Sequence, residues 1–270
     1  MSVHRVVAAI AAVVTLGGAL ALAQPPFGRS RFDGPRSTAP DEGVAIDNPP
    51  YDGRLTFARI RYTTGPGGYY YNGLPAWAHG YPRAERDLMN IVAEVSDVSL
   101  TLDRSEVVAL DDSSLFKYPV AYMTEAGFWV MTDKEALALR AYLQKGGFLI
   151  LDDFRDNFRG GGGWSNFAAN MARVLPERRI IDLDVSQRVF HSFFEIDSFD
   201  IVRQYYDRGQ PVFRGIFEDD DPTKRMMVMI NFNTDVANYW EFSATGATPV
   251  SESNEAYKLG VNYLIYGMTH

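Results

Sequence analysis

The chain contains no cysteine. That excludes a disulfide, a thiolate nucleophile, a Cys-ligated zinc or iron–sulfur centre and a lipid-modified N-terminal cysteine. It has only four histidines, and no two of them stand at His-x-x-x-His spacing, so zinc has no motif to support it. There is no Gly-x-Ser-x-Gly elbow for a serine hydrolase. Gly160 to Gly163 could expose N–H groups to an anion, but no Lys-Ser/Thr follows as in a P-loop, and a connector is the better reading. Runs of Lys and Arg are also missing, and the net charge is −8. An acidic chain does not draw nucleic acid through its overall field, so no nucleic-acid partner is expected.

The N-terminus reads as an export signal. Arg5 supplies a basic start, Val6 to Leu22 is apolar or small throughout, and Ala21-Leu22-Ala23 forms a cleavage pattern. Residues 1–23 are therefore expected to be a signal peptide, which places the protein in the periplasm or outside the cell. Membrane contact is expected only if that segment stays uncleaved and acts as an anchor. Residues 24–52 are rich in Pro, Gly, Arg and Asp and read as a flexible linker. Residues 53–270 are expected to form one α/β domain, since strand and helix patterns alternate without an internal repeat.

Within that domain, Leu55 to Tyr62 alternates and predicts a first strand. A loop from Thr63 to Tyr81 follows, with Tyr69, Tyr70, Tyr71 and Trp77, and then a helix opening at Pro82. Val98–Leu102 and Tyr118–Met123 predict the second and third strands. Thr132 and Glu135 form a capping box for a helix from Asp133 to Lys145, and Gly146 offers a left-handed stop. Phe148 to Leu151 is a continuous apolar run, the mark of a central parallel strand covered on both faces. It ends in Asp152 and Asp153. Further on, a helix over 164–175, a strand over 180–183, a strand over 225–231 and a last helix capped by Ser251 are predicted. The fold class is a single doubly wound, mainly parallel sheet, in which ligands sit outside the carboxyl ends of the strands.

Several of these segments, taken in order, resemble a known family. They are Phe57, Arg59, Arg61 and Tyr62; Tyr81-Pro82; Tyr118-Pro119; Gly146-Gly147-Phe148-Leu149 with Asp152-Asp153; Phe190-His191-Ser192-Phe193; and Lys258 to Asn262. The set resembles the bacterial family called domain of unknown function 4159, from about Leu55 to the end. The resemblance implies a class I glutamine amidotransferase-like (flavodoxin-like) fold in exported or membrane-attached proteins, with no established activity. The place of the amidase nucleophile corresponds to Asp152 or Asp153. Cysteine is absent there, and so are the glycines that let a sharp turn form, so Cys-dependent glutamine hydrolysis is excluded.

The candidate site gathers at the strand ends. Asp152 and Asp153 should point to opposite sides of an extended chain, as ligand, acid/base or loop-ordering groups. His191 is the expected titrating partner of Asp153, because His4 lies in the signal, His79 in a loop and His270 at the terminus. Asn231, Asn233 and Asp235 alternate after a strand and could face one crevice, or serve as turn residues. Arg59 and Arg61 share a face of the first strand and suit an anionic group or acidic neighbours. Trp77 and the tyrosines suit a glycan or peptide surface, or cover the core. Glu218 to Asp221 lacks the ligand alternation of a calcium loop and reads as a hairpin turn. The expected function is a non-catalytic ligand- or protein-binding domain of the cell envelope. The alternatives are an envelope hydrolase using Asp153 and His191, metal-assisted or not, and a structural interaction module. No cofactor is predicted, and a divalent cation is left open.

Overall fold

The computed structural model describes residues 44–70, 73–156, 163–200, 202 and 209–270. Residues 1–43, Tyr71 and Gly160 to Gly162 lie outside that set, and with them the signal and most of the linker. Among the described residues, no helix is long and apolar enough to cross a membrane.

The sheet is built from β1 (Ala58–Arg61), β5 (Glu106–Ala109), β6 (Val120–Thr124), β8 (Phe148–Phe154), β9 (Ile181–Asp182), β10 (Val212–Phe217) and β11 (Met226–Phe232). These seven strands lie in the order β5-β1-β6-β8-β11-β10-β9. The first five are mutually parallel. In chain order they run second, first, third, fourth, fifth, so the winding reverses between β1 and β6, where a doubly wound sheet opens a crevice. The strands β10 and β9 extend the sheet in antiparallel fashion. Four short strands lie outside it, with β2 (Thr63–Thr64) paired to β7 (Trp129–Val130), and β3 (Tyr69–Tyr70) paired to β4 (Leu74–Pro75).

Five helices cover both faces among the described residues. On one side, α1 (Arg83–Val95), α4 (Val236–Phe242) and α5 (Val250–Thr269) pack Leu88, Val92, Trp240 and Leu259 onto Phe148, Ile150 and Met229. On the other, α2 (Asp133–Gln144) and α3 (Gly163–Val174) pack Leu139, Leu143, Phe167 and Met171 onto Leu149, Leu151 and Ile230. Burial on both faces is why β8 needs an unbroken apolar run rather than alternation. The α2 capping box is present: Thr132 Oγ1 accepts from the Glu135 N–H at 3.2 Å, and the Thr132 N–H donates to Glu135 Oε2 at 2.7 Å. Gly146 closes that helix with a φ of 108°, a conformation glycine adopts without steric cost.

Several expectations need correction. The second strand is β5, not residues 98–102, which contribute only the bridge between Leu55 and Leu100. Ser251 does not cap α5. The helix already starts at Val250, and Pro249 takes the cap position without a side-chain bond. Both β10 and α4 lie in stretches to which the sequence pattern assigned no element.

Candidate functional site

The carboxyl ends of β6, β8 and β11 each carry a non-glycine residue in the left-handed region: Glu125 (φ 54°), Asp153 (φ 54°) and Asn233 (φ 59°). Such residues persist only where the surroundings hold them, and they gather at functional sites. At Asp153 the cause is visible in the ladder. Leu151 pairs with Ile230 and Phe154 with Phe232, so β8 advances three residues while β11 advances two. The surplus is a bulge, a device that re-aims a side chain. Asp152 and Phe154 consequently face opposite sides of the sheet, Asp152 towards Tyr122 and Phe154 towards Phe167. The strand therefore bends at Asp153 without flanking glycines and continues to Phe154.

Asp152 is fully buried and saturated with donors. It accepts from the Tyr122 hydroxyl at 2.9 Å, the Asn231 amide at 3.2 Å, and the N–H groups of Val236 and Ala237 at 3.3 and 3.0 Å. Asn231 in turn accepts from the Tyr263 hydroxyl at 3.0 Å. Burial, with the charges of Asp235 and Asp153 nearby, pushes the Asp152 carboxyl up to about 7. This network ties β6, β8, β11 and α5 to the start of α4.

Asp153 opens the other way. Its Oδ2 lies 2.7 Å from Nδ1 of His79, and Oε1 of Glu125 lies 3.6 Å from the same nitrogen. The Tyr70 hydroxyl donates to Glu125 Oε1, and the Tyr70 ring stacks on His79 at 5.2 Å. Asp235 caps α4 by accepting from the Asn238 N–H at 3.0 Å. Ligand atoms of His79, Asp153 and Asp235 all lie within 4.8 Å of one another. Burial and the Glu125 charge raise the Asp153 carboxyl to about 6, against the opposing bond from His79. Burial alone would lower the His79 imidazole, but its bonds to Asp153 and Glu125 outweigh that and hold it well above the usual histidine range.

Two carboxylate oxygens in this crevice have no hydrogen-bond partner among the described residues, Asp153 Oδ1 and Glu125 Oε2. Both side chains are 6% exposed, and neither oxygen is sealed from solvent. His79 Nε2 is likewise without a partner among the described residues, and it is reachable, its side chain being 32% exposed.

The loop after β1 brings His79 here. Buried Arg59 holds it, donating to the carbonyls of Trp77 and His79 at 3.1 and 3.0 Å while its other nitrogens engage Glu85 at 2.7 and 2.8 Å. Arg59 is thus a clamp on the loop rather than a receptor for an anion. Arg61 sits half-buried at the end of β1, in the charge environment of Asp112. Trp77 is completely buried in the core and offers no glycan surface. Asn233 donates to the Gln210 carbonyl at 2.8 Å and shapes the turn after β11. His191 is not brought to Asp153. It pairs with Glu195 and bonds the Val185 carbonyl, on a short turn whose Phe190 carbonyl accepts from Asn262 of α5. The histidine of Asp153 is His79, which sequence reasoning set aside as a loop residue.

A doubly wound α/β protein with an acidic, histidine-bearing crevice at its strand ends is the class these features define. Residues 56–268 match the family described as domain of unknown function (DUF4159), and the chain belongs to that family. No curated protein matches it.

Proposed function

We propose that this is an exported, non-catalytic binding domain of the cell envelope whose crevice captures a cationic group. One observation carries the reading. Three buried carboxylates, Asp153, Glu125 and Asp235, surround one imidazole, and an oxygen of Asp153 and one of Glu125 have no partner among the described residues. Buried charge is costly unless paired, and His79, with the Arg155 charge near Asp153, leaves those two oxygens without a hydrogen-bond donor among the described residues. A cation entering the crevice would pair with them.

Export rests on the basic, apolar and Ala-x-Ala segments of residues 1–23. A scaffold like that of the class I glutamine amidotransferases is supported by the left-handed Asp153, one residue before the end of a buried strand that follows Gly146-Gly147, at the place where that family carries its nucleophile. The envelope hydrolase remains a second reading, with His79 in place of His191. The reachable Nε2 of a histidine bonded through Nδ1 to Asp153 favours it. Because its bonds to Asp153 and Glu125 favour the protonated imidazole, His79 would serve there as an acid.

Thermal shift tests the main reading, since a ligand of the native state raises the melting temperature. Divalent cations and polyamines should each be tried with the wild-type protein and with Asp153→Asn. A rise that depends on Asp153 supports the cationic crevice. No rise with any cation rejects it and favours a protein partner.

A further inference from the structure

We infer that the crevice is a centre for a single divalent transition-metal ion, held by His79 Nδ1, Asp153 and Asp235 with Glu125 beside them. The inference rests on the cationic-crevice reading and narrows it to a metal. Three features distinguish a metal from an ammonium group. The first is the donor set. Nδ1 of His79 faces the carboxylates rather than the solvent, and it lies 2.7 Å from Asp153 Oδ2 and 3.6 Å from Glu125 Oε1. An ammonium ion gains from carboxylates but not from an imidazolium in their midst. A metal ion replaces the imidazole proton and takes Nδ1 as a ligand.

The second feature is spacing. Tetrahedral bonds of about 2.0–2.2 Å to N and O ligands put neighbouring donor atoms about 3.4 Å apart. The three candidate donors all lie within 4.8 Å of one another, so small side-chain rotations, opening the 2.7 Å pair of His79 Nδ1 and Asp153 Oδ2, bring them to that spacing. The third is the pair of oxygens Asp153 Oδ1 and Glu125 Oε2, on side chains that are otherwise buried. They are donors prepared in advance, with no protein partner among the described residues.

The supports of the ligands are also in place. The backbone of His79 is clamped by Arg59, and its ring is stacked on Tyr70. Glu125 receives the Tyr70 hydroxyl, and the Tyr62 hydroxyl donates to the Glu125 carbonyl at 2.9 Å. Asp235 is set by its role at the start of α4. Such outer partners orient metal ligands and are part of a working centre. One imidazole among carboxylates selects Mn²⁺, Fe²⁺ or Zn²⁺ over Mg²⁺ and Ca²⁺, which prefer all-oxygen cages. Three protein ligands leave a coordination position towards the crevice, the arrangement of a centre that engages a further molecule.

The test is calorimetric titration of the chelator-treated full-length protein with Zn²⁺, Mn²⁺, Mg²⁺ and Ca²⁺, together with the visible absorption of added Co²⁺. One equivalent of Zn²⁺ or Mn²⁺ is expected to bind at least tenfold more tightly than Ca²⁺. His79→Gln and Asp235→Asn are each expected to weaken it at least tenfold and to change the Co²⁺ spectrum, while His191→Ala leaves both unchanged. Asp235→Asn keeps the helix cap, because Asn caps as well as Asp, so its loss of binding would not be a folding defect. Equal binding by wild-type and His79→Gln protein overturns the inference. If the metals fail to bind but spermidine still raises the melting temperature through Asp153, the metal centre is wrong and the cationic crevice stands. If neither binds, both fall.

Discussion

Asp152 and Asp153 are neighbours in the chain and opposites in the structure. Asp152 lies in a closed network where four donors converge on its carboxylate. Asp153 lies at the strand ends, where one oxygen meets His79 and the other meets no protein group among the described residues. Both carboxyls are raised by burial, to about 7 and about 6, so perturbed acidity does not tell them apart. Completeness of hydrogen bonding does. A saturated buried carboxylate holds a fold together, and an unsaturated one at a crevice awaits something else.

The sharpest way to break this contrast is Asp152→Ala. It strands the Tyr122 hydroxyl, the Asn231 amide and two N–H groups of α4 without an acceptor. Destabilisation of roughly 3–5 kcal/mol is expected from denaturant unfolding, as for a broken buried network. A loss under about 1 kcal/mol would mean that water replaces the carboxylate, and that the network is not structural.

The pH dependence comes next. Asp152, Asp153 and His79 all hold protons more tightly in the fold than in the unfolded chain. Their contribution is therefore complete below the unfolded carboxylate range, near pH ~4. It is lost as pH rises through about 6 and about 7, and His79 continues the loss at higher pH. Each proton difference changes stability by about 1.4 kcal/mol per pH unit. Melting temperature should fall between about pH 5 and pH 8, and Asp152→Asn should flatten that slope. A melting temperature that climbs over this range would show that the buried carboxylates are paired more strongly than the geometry indicates.

Asp153→Asn should do the converse of Asp152→Ala. Asn tolerates the left-handed backbone and can still accept a bond from His79. Stability is expected to change by less than about 1 kcal/mol, while the cation-dependent thermal shift disappears. Smallest of all, His191→Ala should alter stability by no more than about 0.5 kcal/mol, as at an exposed position, and leave cation binding intact. An effect on binding would return His191 to the site.

The sequence was most legible where signals are local. The capping box of α2, the glycine stop and the apolar run of β8 occupy one short stretch, and each has a direct physical meaning. By contrast, β5, β10 and α4 were missed. Their identity comes from sheet partners and from Asp152, which lie far away in the chain. The site follows the same rule. Asp153 could be found because it ends a strand, but His79 is 74 residues distant and no spacing motif links the two. Choosing His191 by elimination, with His4 in the signal, His79 in a loop and His270 at the terminus, mistook a surface turn for the site. One usable signal was present. The connection between β1 and α1 is far longer than the roughly two to six residues of an ordinary βα loop, and such loops are usually functional. Trp77 sits in that loop as its anchor, which is why its aromatic character misled.

The surplus residue in β8 makes the binding end of this domain removable by a very small genetic event. Deleting Asp153 alone would let Phe154 follow Asp152 directly, with the two-for-two pairing against β11 restored between Leu151 and Phe154. The side chains on either side already face as an uninterrupted strand would place them. A single lost codon would thus retire the crevice and spare the scaffold, so relatives differing at this one position are where those that bind and those that do not should divide.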